Sequence, residues 1–250
     1  MNFSSPPSIS ILRLFALSLL SACTPASTQQ CPVQADQKSS FMAAAEHFPL
    51  SIRADSGWSE DERIALEQAV SRWNDLARAQ MSTEAFEISY VSLKALPGEK
   101  AIQGCDLEQT GSRELRIHRA ATDMQWRKLG FASSTPAVTV RCHRGEQLTK
   151  QAILVNPSLV HSRQVMSVFL HELGHSIGLD HSCQMDRSSP SYRGCAGLED
   201  DHPYVRAVMF PTLRVRLPFF DSFSSVSAPI EVKESLGTND ITRAGCIFGR

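Results

Sequence analysis

From Ser59 onward the apolar residues Leu66, Ala69, Val70, Trp73 and Leu76 recur at the spacing of one helix face. Ser59 and Glu62 stand three apart ahead of that run, the spacing of a capping box, so the helix is expected to start at Ser59. Short segments rich in β-branched and aromatic residues surround it. Pro49 to Ile52, Phe86–Val91, Glu114–His118, Ala137–Arg141 and Ala152–Val155 read as strands. A second helical pattern, Met166, Leu170, Leu173 and Ile177, predicts a helix from about Arg163 to Ile177, with Ser162 as its N-cap. Gly178 follows and can end it, because glycine takes positive φ without a Cβ clash.

A length of 250 residues with 42% hydrophobic content fits one globular domain plus an N-terminal address. The net charge is −1 and no basic cluster is evident, so no nucleic-acid partner is expected and a monomer is. Near the N-terminus, Arg13 precedes the apolar run Leu14 to Leu20, which is too short to span a bilayer and ends in Ser21-Ala22-Cys23. Residues 1–22 therefore read as a signal peptide of lipoprotein type. Leu20-Ser21-Ala22-Cys23 resembles a bacterial lipobox, in which Cys23 is lipidated and becomes the mature N-terminus. Multiple acyl chains would anchor the chain to a membrane through Cys23. Thr24 follows, not Asp, which favours the outer membrane or cell surface over inner-membrane retention; otherwise the protein is secreted. Residues 23–46 read as a tether.

The cysteines agree with export. Of seven, setting Cys23 aside leaves Cys31, Cys105, Cys142, Cys183, Cys195 and Cys246, an even set. Cys183 and Cys195 flank a polar segment and are the expected pair. The other four allow three pairings, among which sequence does not choose.

Candidate chemistry is concentrated in His171-Glu172-Leu173-Gly174-His175-Ser176-Ile177-Gly178-Leu179-Asp180-His181. At about 1.5 Å rise per residue, His171 and His175 lie one helical turn apart on one face. Two imidazoles so placed can converge on one zinc ion. His181 can join them only if the chain reverses at Gly178. Three neutral ligands would leave a fourth position open for water, the catalytic arrangement of zinc sites. Glu172 adjoins a ligand without pointing at the ion. It can act as general base on that water and later protonate a leaving amine. His118, His143 and His161 are isolated and read as surface or packing residues.

The eleven-residue segment resembles the metzincin signature HExxHxxGxxH, and HELGHSIGLDHS within it is similar to the matrixins. Ala207-Val208-Met209-Phe210-Pro211 resembles the Met-turn, which implies that Met209 supports the site from below. Leu236 to Gly249 resembles the final helix of matrixin domains. The resemblance implies a matrixin-like catalytic domain of α+β class at 47–250. A mixed twisted sheet with two helices would lie above a cleft, and a small loop-rich part with a C-terminal helix below it. It implies one catalytic Zn2+ and an extended polypeptide substrate; calcium sites are not legible. The chain departs from matrixins in lacking the His-Gly-Asp segment of their structural zinc. Its segment between His181 and Met209 is also longer. Two other functions fit the same residues: a zinc-binding surface module for adhesion or recognition that does not cleave, and a hydrolase of cell-wall peptides. The intact Glu172 argues against the first, since ligands alone suffice for binding.

Overall fold

Ser59 Oγ accepts a hydrogen bond from the Glu62 backbone N–H at 3.3 Å, and Glu62 Oε2 accepts from the Ser59 N–H at 2.8 Å. This closes the capping box and starts α1, Glu60–Met81. The structure, a computed structural model, describes residues 45–93, 96, 98–107, 111–120, 122–132, 134–144, 147–156, 164–184, 194–211 and 232–248. Cys23, Cys31, His161, Ser162 and the leader at 1–22 lie outside the described residues, as does all but the end of the tether.

The five expected strands are present: β1 Leu50–Asp55, β2 Phe86–Val91, β3 Glu114–Arg119, β4 Ala137–Arg144 and β5 Gln147–Val155. They form one mixed sheet in the order β2-β1-β3-β5-β4. Only β4 runs antiparallel to its neighbour; β1 pairs with both β2 and β3 in parallel, and β3 with β5. Parallel neighbours need a long crossover, and α1 supplies it between β1 and β2. β5 begins five residues before the apolar run that announced it, because its first half is the returning arm of a hairpin with β4. That apolar run has no polar alternation for a physical reason. Ile153 and Val155 enter a core with α1, while Ala152 and Leu154 enter a second core with Trp126, Leu129 and Cys142 on the opposite face.

Three short helices were not expected: α2 Glu99–Gln103, α3 Asp123–Lys128 and α5 Pro203–Arg206. Each is too brief for helical periodicity to register. The first two lie between β2 and β4 in sequence, and a Cys105–Cys142 disulfide ties the end of α2 to β4. The second long helix, α4, spans Val165–Ile177, and α6 spans Thr238–Phe248. α4 starts after Gln164, which offers no side-chain cap, and not at Ser162 as its hydroxyl suggested. Its apolar residues are not a stripe. Val165, Val168, Phe169, Leu170, Leu173 and Ile177 are all buried, as in a helix enclosed on most sides. Among the described residues no helix is long and apolar enough to cross a membrane.

α1 and α4 are joined at Trp73, whose Nε1 donates to the Leu170 carbonyl at 3.0 Å. Next to it, buried Asn74 ties the start of β2 to α1. Its Oδ1 accepts from the Ala85 and Phe86 N–H groups, and its Nδ2 donates to the Phe86 carbonyl. A buried polar group stripped of its partner costs about 1–3 kcal/mol. Asn74→Leu, similar in size, strips several such groups at once. It is expected to lower unfolding stability by at least about 2 kcal/mol in urea titration.

Candidate active site

α4 ends at Gly178, which has φ 109°. The Leu179 N–H bonds to the Gly174 carbonyl at 2.9 Å and the Gly178 N–H to the His175 carbonyl at 3.0 Å. This is a Schellman reversal, and it requires the left-handed conformation that glycine adopts without strain. It returns the chain so that His181 meets the two histidines of the helix. The ring centroids of His171, His175 and His181 stand 4.7, 5.2 and 4.9 Å apart, close to an equilateral triangle. One ring nitrogen from each lies within 4.8 Å of the others.

Tautomers follow from the hydrogen bonds. His171 Nδ1 lies 2.7 Å from the Val208 carbonyl, and His175 Nδ1 lies 2.7 Å from the Leu179 carbonyl. A carbonyl only accepts, so both Nδ1 atoms carry the proton and both Nε2 atoms keep a lone pair for a ligand. Burial keeps the rings neutral. His171 is pushed down to about 3, His175 well below the ordinary value, and His181 is lowered too, burial being the main cause in each. Three neutral imidazoles aimed at one point form a donor set suited to zinc.

The turn carrying His181 is held from two sides. Arg141 on β4 donates to Asp180 Oδ1 at 2.7 Å, and buried Arg243 on α6 donates to the Asp180 carbonyl at 2.7 Å. Asp240, also on α6 and fully buried, accepts from the Val208 and Met209 N–H groups at 2.7 and 3.2 Å. Its carboxyl is raised by burial, against the lowering pull of these hydrogen bonds. The same two-residue stretch offers the carbonyl that orients His171, and Met209 O accepts from Ser182 N at 2.8 Å. Met209 is buried, and a Cβ added at Gly174 would run into its sulfur. It thus packs against the α4 backbone between His171 and His175. A Cys183–Cys195 disulfide closes the segment after His181, and Cys246 is disulfide-bonded as well.

Glu172 is 5% exposed and its carboxyl is pushed up to about 7, mainly by burial. Thr139 and Arg141 oppose that rise. The glutamate lines a cleft of about 570 Å³ together with the three histidines, Thr139 and Phe210. Strand β4, the sheet edge, supplies one wall from Ala137 to Arg141.

His171, Glu172, His175, His181 and Met209 are therefore gathered at one place, whereas Cys23 lies outside the described residues. Of the isolated histidines, His118 is buried on β3 and His143 is exposed on β4. Thr139, Arg141 and Arg243 went unread in the sequence, and Asp240 was read only as part of the Asp-Ile segment that resembles a matrixin final helix, with no partner assigned. Thr139 and Arg141 look like the solvated face of an alternating strand, and nothing local marks the buried arginine of α6.

No protein-family model matches the chain, and no curated protein is similar to it in sequence. The chain is similar to several solved structures, including these two. High choriolytic enzyme 1, a hatching enzyme zinc-protease from the medaka fish Oryzias latipes, is 14% identical with a TM-score of 0.38, covering 84% of this chain and 94% of that one. Myroilysin is 10% identical with a TM-score of 0.35, covering 85% of this chain and 97% of its own.

Two outcomes follow from this geometry. Gly174→Ala would drive a methyl into the Met209 sulfur and against Trp73. Overpacking of this kind costs about 1–3 kcal/mol, and here it should also weaken metal binding, read by chelator competition. The second concerns acid. In the unfolded chain the histidines take up protons near 6.5, but in the metal-free fold His171 and His175 stay neutral far below that, and His181 is lowered too. Their depressed values contribute stability that is lost as pH falls from about 6.5 toward 3. Glu172 acts oppositely: its value, raised from 4.5 to about 7, contributes stability that is lost as pH rises through that range. Asp240, raised as well, acts in the same sense as Glu172, and the three histidines outweigh the two carboxyls where the ranges overlap. The metal-free protein should therefore melt at lower temperature at pH 5 than at pH 7 by calorimetry, and the reverse order would refute the assignment.

Proposed function

We propose that the chain is a zinc-dependent endopeptidase of matrixin-like type, exported and anchored to a membrane by lipid on Cys23. The observation that carries the catalytic reading is a single juxtaposition. Three neutral imidazoles converge beside a buried carboxylate at the wall of an open cleft. His171, His175 and His181 would hold the ion, with Met209 packed beneath. Bound there, zinc would supply Lewis acidity toward a peptide carbonyl and make water acidic near neutral pH.

The chain's own residues do the rest. The carbonyls of Val208 and Leu179 fix the tautomers of His171 and His175 and keep their free nitrogens facing inward. Glu172 Oε2 is held by Thr139, and Oε1 accepts no hydrogen bond among the described residues. That oxygen takes a proton from the attacking water and returns it to the departing amine nitrogen. Val168 and Phe210 give the cleft an apolar lining beside the histidines. Edge strand β4 offers backbone groups along the cleft wall, and an extended polypeptide can pair with them as an added strand.

Glu172→Ala should keep the zinc and lose peptidase activity by about 10²-fold or more, measured by metal analysis beside a fluorogenic peptide assay. His181→Ala should weaken zinc binding and activity together. Activity of Glu172→Ala within tenfold of wild type, or unchanged zinc affinity in His181→Ala, would sink the assigned roles. Digestion of casein but not of peptidoglycan peptides is expected, and the opposite preference would favour the cell-wall reading. Export is tested separately: mass spectrometry of the mature N-terminus should find Cys23 acylated.

A further inference from the structure

Thr139 lies at a part-buried position on the edge strand β4, on the wall of the cleft. Its Oγ1 stands 2.5 Å from Glu172 Oε2 and 3.1 Å from the backbone carbonyl of the same residue. A hydroxyl has one proton to give. With Glu172 ionised, as a base must be, the shorter contact is the donated bond, and its length is that of a charge-assisted O–H···O⁻ pair. Among the described residues no other side chain hydrogen-bonds this carboxylate. A glutamate has three side-chain torsions, and a buried one without a partner settles wherever packing allows. Valine would fill the same space in a strand whose neighbours Val138 and Val140 are already β-branched. What threonine adds is the hydrogen bond.

We propose that Thr139 is a positioning residue that fixes the Glu172 carboxylate by holding Oε2, so that Oε1 is the oxygen presented to the reactant. This rests on the reading of Glu172 as the proton carrier. It adds a consequence: the strand that offers its backbone to substrate also aims the base. Arg141, two residues on and on the same face, grips the turn before His181 in the same manner. The Thr139 hydroxyl bonds only to Glu172 and to none of the three histidine rings, and a side-chain substitution leaves the backbone of β4 in place, so metal and substrate binding should stay intact.

The experiment compares wild type, Thr139→Val, Thr139→Ser and Glu172→Ala as full-length, zinc-loaded proteins. Steady-state kinetics are run on a fluorogenic peptide, with zinc affinity by chelator competition and melting by calorimetry. Thr139→Val should lose about 10–100-fold in kcat, the scale of a catalytic group displaced by about an ångström. Its KM and zinc affinity should stay within twofold of wild type. Thr139→Ser, which restores the hydroxyl, should recover kcat to within threefold. If Thr139→Val does not fold, Thr139→Ala serves as the second hydroxyl-free variant with the same expectation. A hydroxyl-free variant with kcat within threefold of wild type overturns the proposal. So does a kcat loss matched by loss of zinc affinity, or a serine variant no better than valine. When wild type is active and Glu172→Ala is not, those results strike Thr139 alone. An inactive wild type, or an active Glu172→Ala, removes the reading of Glu172 and this proposal with it.

Discussion

The reversal of the backbone at Gly178 is the constraint on which the rest of the site depends. Without it the helix would carry His181 away from His171 and His175, both along the axis and around it. With it, two hydrogen bonds close the helix end, and the turn delivers a third imidazole to the first two. The same turn also orients a ligand, since the Leu179 carbonyl accepts from His175. One left-handed residue thus ends a helix, reverses a chain and sets a tautomer.

Such a turn stays in place only if its surroundings hold it. Arg141 reaches it from the sheet edge and Arg243 from the C-terminal helix, both ending on Asp180. Asp240 meanwhile holds the backbone at Val208 and Met209, whose groups in turn face His171 and Ser182. Each of these polar groups is costly to bury alone and tolerable when paired. The site is therefore built from compensated pairs, with strand, helix and Met-containing turn each supplying one partner. This explains why chemistry read on eleven consecutive residues needs side chains from positions 139 to 243.

Burial also sets the electrostatics, and in opposite senses. It keeps the imidazoles neutral, as a donor set for a cation needs, and it raises the Glu172 carboxyl, so that the metal-free site holds neutral rings beside a carboxyl of raised value. Both shifts come from enclosing α4 between the sheet, α1 and the segment after His181. A helix with a solvated face would have had ordinary histidines and an ordinary glutamate.

Much of the architecture was legible in the chain because it is written locally. The capping box at Ser59, the apolar spacing of α1, the β-branched runs of the strands and the glycine after Ile177 each act within a few residues, where periodicity and backbone preference operate. The convergence of His171, His175 and His181 was legible for the same reason, helix pitch and one turn being enough to place them. Other features required the fold. β5 proved longer than its apolar run because pairing with β4, and not composition, extends it. α4 proved enclosed on most sides because several elements meet there. The pairing of Cys105 with Cys142 depends on where α2 comes to rest beside the edge strand. The roles of Thr139, Arg141, Asp240 and Arg243 exist only through partners 31 to 63 positions away in the chain. A short-range pattern specifies a residue's own conformation, whereas the partner of a buried polar group is specified only when distant segments pack.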